Sequence, residues 1–215
     1  SAVARNLQAI RQLLQPAVKL MGMVKAFSYG SGSYEIASLL QYHGVEYLAV
    51  AFTDEGVELR KAGITMPIMV MNPEPVTFDS LTEHNLEPEL YSLTLLQQFG
   101  NYLQQSGLSS YPVHLKVDTG MHRLGFTIQE LPALVAALQK LPHLSVQSVF
   151  SHLAAAEDPN HDAFTKQQAI LFEQACSKIR EVTGYNFLMH LNNSSGILRH
   201  AAYQYDMVRL GIALY

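Results

Sequence analysis

In the run V-K-A-F-S-Y-G-S-G-S, residues 24 to 33, Lys25 ends an apolar stretch and is followed by Tyr29 and two Gly-Ser pairs. A lysine among apolar neighbours has its amine pKa lowered by desolvation, and a free amine forms a Schiff base with a carbonyl group. Tyr29 adds a phenol. The Gly-Ser pairs add hydroxyls and close backbone N–H groups at the start of a helix-like segment, where a phosphate is well accommodated. A carbonyl-capturing lysine beside a phosphate cradle points to pyridoxal phosphate, although G-S-G-S alone also fits an ordinary flexible loop and a strand-end lysine is often just a solvated charge. Four more polar residues recur in similar positions: Asp118, His152, Asn193 and Arg209 each follow a short apolar run.

The elements that must carry these residues alternate along the chain. Candidate strands cover 19–26, 47–52, 67–72, 86–91, 113–118, 146–152, 188–193 and 207–214, each a short apolar run. Helix-like stretches lie between them, at 33–43, 54–62, 79–85, 93–105, 127–141, 161–182 and 196–202. Gly63, Gly107 and Gly184 mark helix ends, and T-I-Q-E at 127–130 reads as a capping box. Eight strand–helix alternations either close into a (β/α)8 barrel or lie open as a doubly wound sheet. An open sheet gathers its site at one switch point, whereas the polar residues here end five different strands, so the closed α/β barrel is expected, as one domain over 1–215. A first helix at 3–14 is expected to cover the bottom of the barrel.

Composition narrows the partners. With 215 residues, 48% hydrophobic and 15% charged, the chain buries a sizeable core, and its net charge of −4 without a basic block argues against nucleic acid or an anionic membrane surface. A small-molecule substrate fits better. No apolar stretch reaches membrane-spanning length and no signal peptide opens the sequence, which makes a cytoplasmic location the default expectation. The single cysteine, Cys176, excludes an intramolecular disulfide and reads as a helix residue without chemistry; no metal site is expected.

Five segments together resemble alanine racemase: 24–32 (V-K-A-F-S-Y-G-S-G), 115–126 (L-K-V-D-T-G-M-H-R-L-G-F), 151–158 (S-H-L-A-A-A-E-D), 190–198 (H-L-N-N-S-S-G-I-L) and 206–215 (D-M-V-R-L-G-I-A-L-Y). The resemblance implies a pyridoxal-phosphate barrel of the TIM type, followed by a separate β-rich C-terminal domain absent from this sequence, in a head-to-tail homodimer. It implies that Lys25 carries the cofactor and acts as a base on one face of Cα. Tyr29, Ser194 and the backbone at Gly211 and Ile212 would hold the phosphate, with Asn193 bracing the cofactor; Ser194 also fits a helix N-cap. Arg209 would face the pyridine nitrogen with His152 beside it, and Arg123 would engage the substrate carboxylate. Lys116 matches a lysine that is often carbamylated, the alternative being an unmodified lysine paired with Asp118. The run A-F-S-Y-G-S-G departs from the family's usual A-N-A-Y-G-H-G at Phe27, Ser28 and Ser31, and resembles racemases fused to a cell-wall ligase. The second base, a tyrosine in that family, matches no motif in 1–215, and the stop at Tyr215 inside an apolar run suggests a fragment with little activity. A non-catalytic pyridoxal-phosphate barrel has no reason to keep Arg123 and Lys116. A decarboxylase or aldolase on a related barrel would prefer an acid where Arg209 stands.

Overall fold

The structure, a computed structural model, describes residues 2–24 and 32–215. Eight parallel strands close into a barrel in chain order: β1 (Lys19–Met23), β2 (Tyr47–Val50), β3 (Ile68–Val70), β4 (Glu87–Leu90), β5 (Tyr111–Lys116), β6 (Leu144–Phe150), β7 (Leu188–His190) and β8 (Met207–Leu210). The barrel closes through β1 and β8, where Met21 lies opposite Arg209. Helices α1 (Ala2–Arg11), α2 (Ser33–Tyr42), α3 (Thr53–Lys61), α4 (Phe78–Glu83), α5 (Leu93–Gln105), α6 (Leu131–Leu138), α7 (Asp162–Thr183) and α8 (Ser194–Arg199) complete the alternation among the described residues. The closed barrel expected from the scattered strand-end polar residues is therefore the one observed.

Local chemistry sets the helix boundaries. Glu55 reaches back to the amides of Ala51 and Phe52 at 2.6 and 3.1 Å, Ser92 accepts from Leu95 N–H, and Glu130 accepts from both the amide and hydroxyl of Thr127. Each satisfies amides that have no partner inside the helix. Gly63, Gly107 and Gly184 follow helix ends with positive φ, as expected. The T-I-Q-E box opens a short 3-10 turn at Ile128–Glu130, and α6 begins only at Leu131.

Side chains alternate across the strands and divide the core in two. Outward residues such as Leu48, Ile68, Val113, Leu115, Val149, Val208 and Leu210 pack with the helices in one large cluster. Inward, Met21, Met23, Tyr47, Ala49, Met69, Phe150 and Met207 form a second cluster. A register shift between β5 and β6 pairs Val113 with Val146 but His114 with Ser148, so Gln147 is bulged out. The extra residue turns β6 over, and Ser148 enters the barrel beside His114.

Two expectations are corrected. Leu7 and Ile10 of α1 belong to the outer cluster, and Asn6 Nδ2 donates to Leu214 O at 3.2 Å. The helix thus packs on the flank beside residues 212–214 rather than beneath the barrel. The candidate strands also run too far: Val117, Asp118, Ser151, His152, 191–193 and 211–214 lie beyond strand ends. Those residues form the loops that carry the polar groups, where ladder pairing stops and the chain turns toward the mouth. Cys176 is buried in α7, where burial pushes its thiol pKa up, consistent with an inert helix residue. Among the described residues no helix is long and apolar enough to cross a membrane.

Candidate active site

A cavity of about 230 Å³ opens at the C-terminal ends of the strands, lined among others by Lys116, Arg123, His152, Asn193, Ser194, Arg209, Gly211 and Ile212. Eight of the ten expected site residues thus meet in one place. The other two, Lys25 and Tyr29, lie outside the described residues. The described lining holds three cations, Lys116, Arg123 and Arg209, and no carboxylate, a charge balance that suits an anionic ligand.

Arg209, from β8, is fixed by the surrounding backbone. Nη2 donates to Ser151 O at 2.6 Å and Leu191 O at 3.0 Å, while Nη1 donates to His190 O at 3.2 Å and His190 Nδ1 at 2.8 Å. A guanidinium has five N–H donors, and these four bonds use the four on Nη1 and Nη2. Nε–H is therefore the donor without a protein acceptor among the described residues. Burial pushes the Arg209 pKa down to about 10, with Glu89 opposing, so it remains a cation at neutral pH.

Because a guanidinium only donates, His190 Nδ1 must accept, and its proton sits on Nε2. The consequence propagates across the barrel. His190 Nε2–H donates to Ser148 Oγ at 2.8 Å, the Ser148 hydroxyl to His114 Nδ1 at 2.7 Å, and His114 Nε2–H to Glu87 at 2.8 Å. Every donor meets an acceptor in one direction. Burial, then the Arg209 cation, holds the His190 pKa well below its usual value, which keeps the ring neutral as this chain requires. Phe150 stacks on His190 at 4.8 Å, and its ring also faces Arg209 and Lys116 at 5.1 and 5.5 Å.

Lys116 does not pair with Asp118. Its Nζ lies 3.0 Å from Glu89 Oε1 of β4, which shares the barrel interior with it. Asp118 instead accepts from the amides of Gly120 and His122 and pairs with the His122 ring at 3.4 Å. The loop it organises is closed by backbone bonds between Asp118 and Phe126 and between Phe126 and Lys116, both 2.9 Å. It carries the exposed Arg123 to the cavity. Gln168 of α7 links this loop to the next, bonding Thr119 Oγ1, His152 O and Ala154 N.

On the other side, the N-cap of α8 is Asn193, not Ser194: Asn193 Oδ1 accepts from Gly196 N–H at 2.9 Å. The Ser194 hydroxyl accepts from the amides of Gly211 and Ala213 at 3.1 and 3.4 Å, tying α8 to the turn after β8. His190, a residue not singled out in the sequence, bonds Arg209, and His152 lines the same cavity as Arg209. Glu87, Glu89, His114, Ser148 and His190 were all overlooked, yet L-E-P-E-L, V-H-L-K-V and L-M-H carry the signal. Polar residues at alternate positions of apolar strands face one side, and in a barrel that side is the interior.

Comparison with known proteins agrees with this arrangement. The family model for the alanine racemase N-terminal domain matches residues 1–215. An alanine racemase from Synechocystis is 38% identical over 217 residues, covering all of this chain and 58% of that protein. The Clostridium difficile 630 alanine racemase in complex with cycloserine superposes with a TM-score of 0.92 at 32% identity, covering 99% of this chain and 58% of that one. The Bartonella henselae alanine racemase with covalently bound pyridoxal phosphate gives 0.88 at 28%, covering 100% and 58%. The chain therefore spans somewhat more than half the length of these relatives. With a family match from first residue to last and, among the described residues, a mouth that gathers residues of four of the five motifs, the chain belongs to the alanine racemase N-terminal domain family.

Proposed function

We propose that this chain is the cofactor-binding barrel of an alanine racemase, interconverting L- and D-alanine and so supplying D-alanine for cell-wall precursors. The observation that carries the reading is Arg209, a buried cation with both Nη groups committed to protein and Nε–H left for a ligand. The residues present suit pyridoxal phosphate: among the described residues the lining holds Arg123 and Arg209 as well as Lys116, which Glu89 pairs from behind, and no carboxylate, and the Ser194 hydroxyl with the turn at Gly211 and Ile212 offers small polar groups for a phosphate. When bound, that cofactor supplies an electron sink that makes a Cα proton labile.

Lys25 would hold the cofactor through its amine, and the same amine would serve as the base that removes or returns the Cα proton on one face. Arg209 would offer its Nε–H to the pyridine nitrogen; having no lone pair to accept a ring N–H, it would keep that nitrogen unprotonated, which favours simple reprotonation of Cα. Arg123, exposed at the mouth, orients the substrate carboxylate. Inversion needs a second base on the opposite face, and the described lining offers no tyrosine for it. We assign that base to residues outside 1–215, in a homodimeric full-length enzyme.

The test is reduction with borohydride after incubation with pyridoxal phosphate, followed by peptide mapping. The label is expected on Lys25 and is expected to disappear in Lys25→Ala. Recovery of the label on another lysine of the folded chain would refute the assignment.

A further inference from the structure

Glu89 and Lys116 form an ion pair withdrawn from solvent: Nζ and Oε1 are 3.0 Å apart, Glu89 is fully buried and Lys116 is 4% exposed. The second oxygen of Glu89, Oε2, is buried without a hydrogen-bond partner among the described residues. Lys116 is thus the direct donor on which the Glu89 charge depends. Burial raises the Glu89 pKa, and Lys116, then Arg209, oppose that rise without cancelling it. A buried carboxylate and a buried ammonium each persist because the other is present.

We propose that Glu89 is the built-in counterion of Lys116, holding it as an ammonium and so protecting it from carbamylation. The inference rests on the racemase reading only for the expectation that a carbamate forms there. Carbamylation requires a neutral amine, whose lone pair attacks carbon dioxide; the N–C bond forms and one proton is released. An ammonium donating to Glu89 has no lone pair for that step. The product would also set a second anion against Glu89 in a buried pocket, where like charges repel strongly. Glu89 already supplies the negative charge that a carbamate would bring, and Arg123, the exposed cation of the same mouth, keeps its full charge for an anionic ligand.

Carbon-13 NMR of the chain in labelled bicarbonate tests this, with Lys116→Met marking which carbamate resonances belong to Lys116. The unsubstituted chain is expected to show none that Lys116→Met removes. Glu89→Gln is expected to free the amine and raise the carbamate at Lys116 at least tenfold. A Lys116-dependent resonance in the unsubstituted chain overturns the proposal, whether or not Glu89→Gln folds. A folded Glu89→Gln chain that gains no such resonance overturns the protective role of Glu89. Failure of borohydride labelling at Lys25 would remove the racemase reading and leave this charge assignment standing.

Discussion

Arg209 shows how a single charge is held in a barrel interior. Its four Nη bonds reach two side-by-side loops and the ring of His190, so a shorter cation cannot reproduce them. Arg209→Lys leaves several buried acceptors without donors, and a loss of about 3 kcal/mol or more in unfolding free energy is expected from urea denaturation. His190 makes a second, pH-dependent contribution. Its folded pKa lies well below the unfolded value of about 6.5, so below that pH the unfolded chain binds a proton that the native ring refuses. Stability from this group is fully present above about pH 6.5 and falls as pH drops, approaching about 1.4 kcal/mol per pH unit. Replacing His190 with Asn should flatten the denaturation midpoint between pH 6.5 and 5. An unchanged slope would mean that His190 is protonated in the native barrel.

Elements explain why some of the site was legible and some was not. The eight strands could be located because each is a short apolar run between turn residues, and Arg209 stood out as a charge inside one of them. Glu89 and His190 were equally readable in kind, as polar residues at inward positions, but inward and outward are defined only once the barrel is closed. Ser148 was less accessible still, because its direction depends on the bulge at Gln147, which strict alternation does not predict. The pairing of Lys116 with Glu89 links adjacent strands whose side chains meet through the pleat, whereas Asp118, two residues away along the chain, is drawn off by loop amides. That loop depends on Gly125, whose φ is +128° and whose added Cβ would sit 2.7 Å from Asp118 N and 2.9 Å from Val117 C. These are backbone atoms that have no rotamer to adopt. Gly125→Ala is therefore expected to cost about 1–3 kcal/mol and to displace the segment carrying Arg123. Amide exchange should accelerate at Asp118 and Phe126, whose backbone bonds close the loop, while β1 and β2 stay protected.

At the scale of the whole molecule, the barrel divides its labour around its circumference. Strands β1 to β3 fill the interior with Met21, Met23, Tyr47, Ala49 and Met69, whereas β4 to β8 contribute Glu87, Glu89, His114, Lys116, Ser148, His190 and Arg209 beside Phe150 and Met207. The polar half fixes Arg209 and Lys116 before any ligand arrives. Racemisation sets a separate requirement: proton exchange at one face of Cα needs a single positioned base, while inversion needs two. With Lys25 as that base, the chain loaded with pyridoxal phosphate is expected to exchange the Cα proton of one alanine enantiomer for solvent deuterium with retention of configuration. Inversion should lag behind. Loss of a positioned acid or base lowers a rate by about a hundredfold to ten-thousandfold, so residual inversion carried by water is compatible with the assignment. If residues outside 1–215 carry the second base, as proposed, adding them should restore inversion, and mixed dimers of that longer protein should show whether the base comes from the same polypeptide or its partner. Deuterium incorporation and chiral chromatography on one sample read both processes together. Equal rates of exchange and inversion in residues 1–215 alone would place both bases within this barrel and overturn the assignment of the second base to residues outside it.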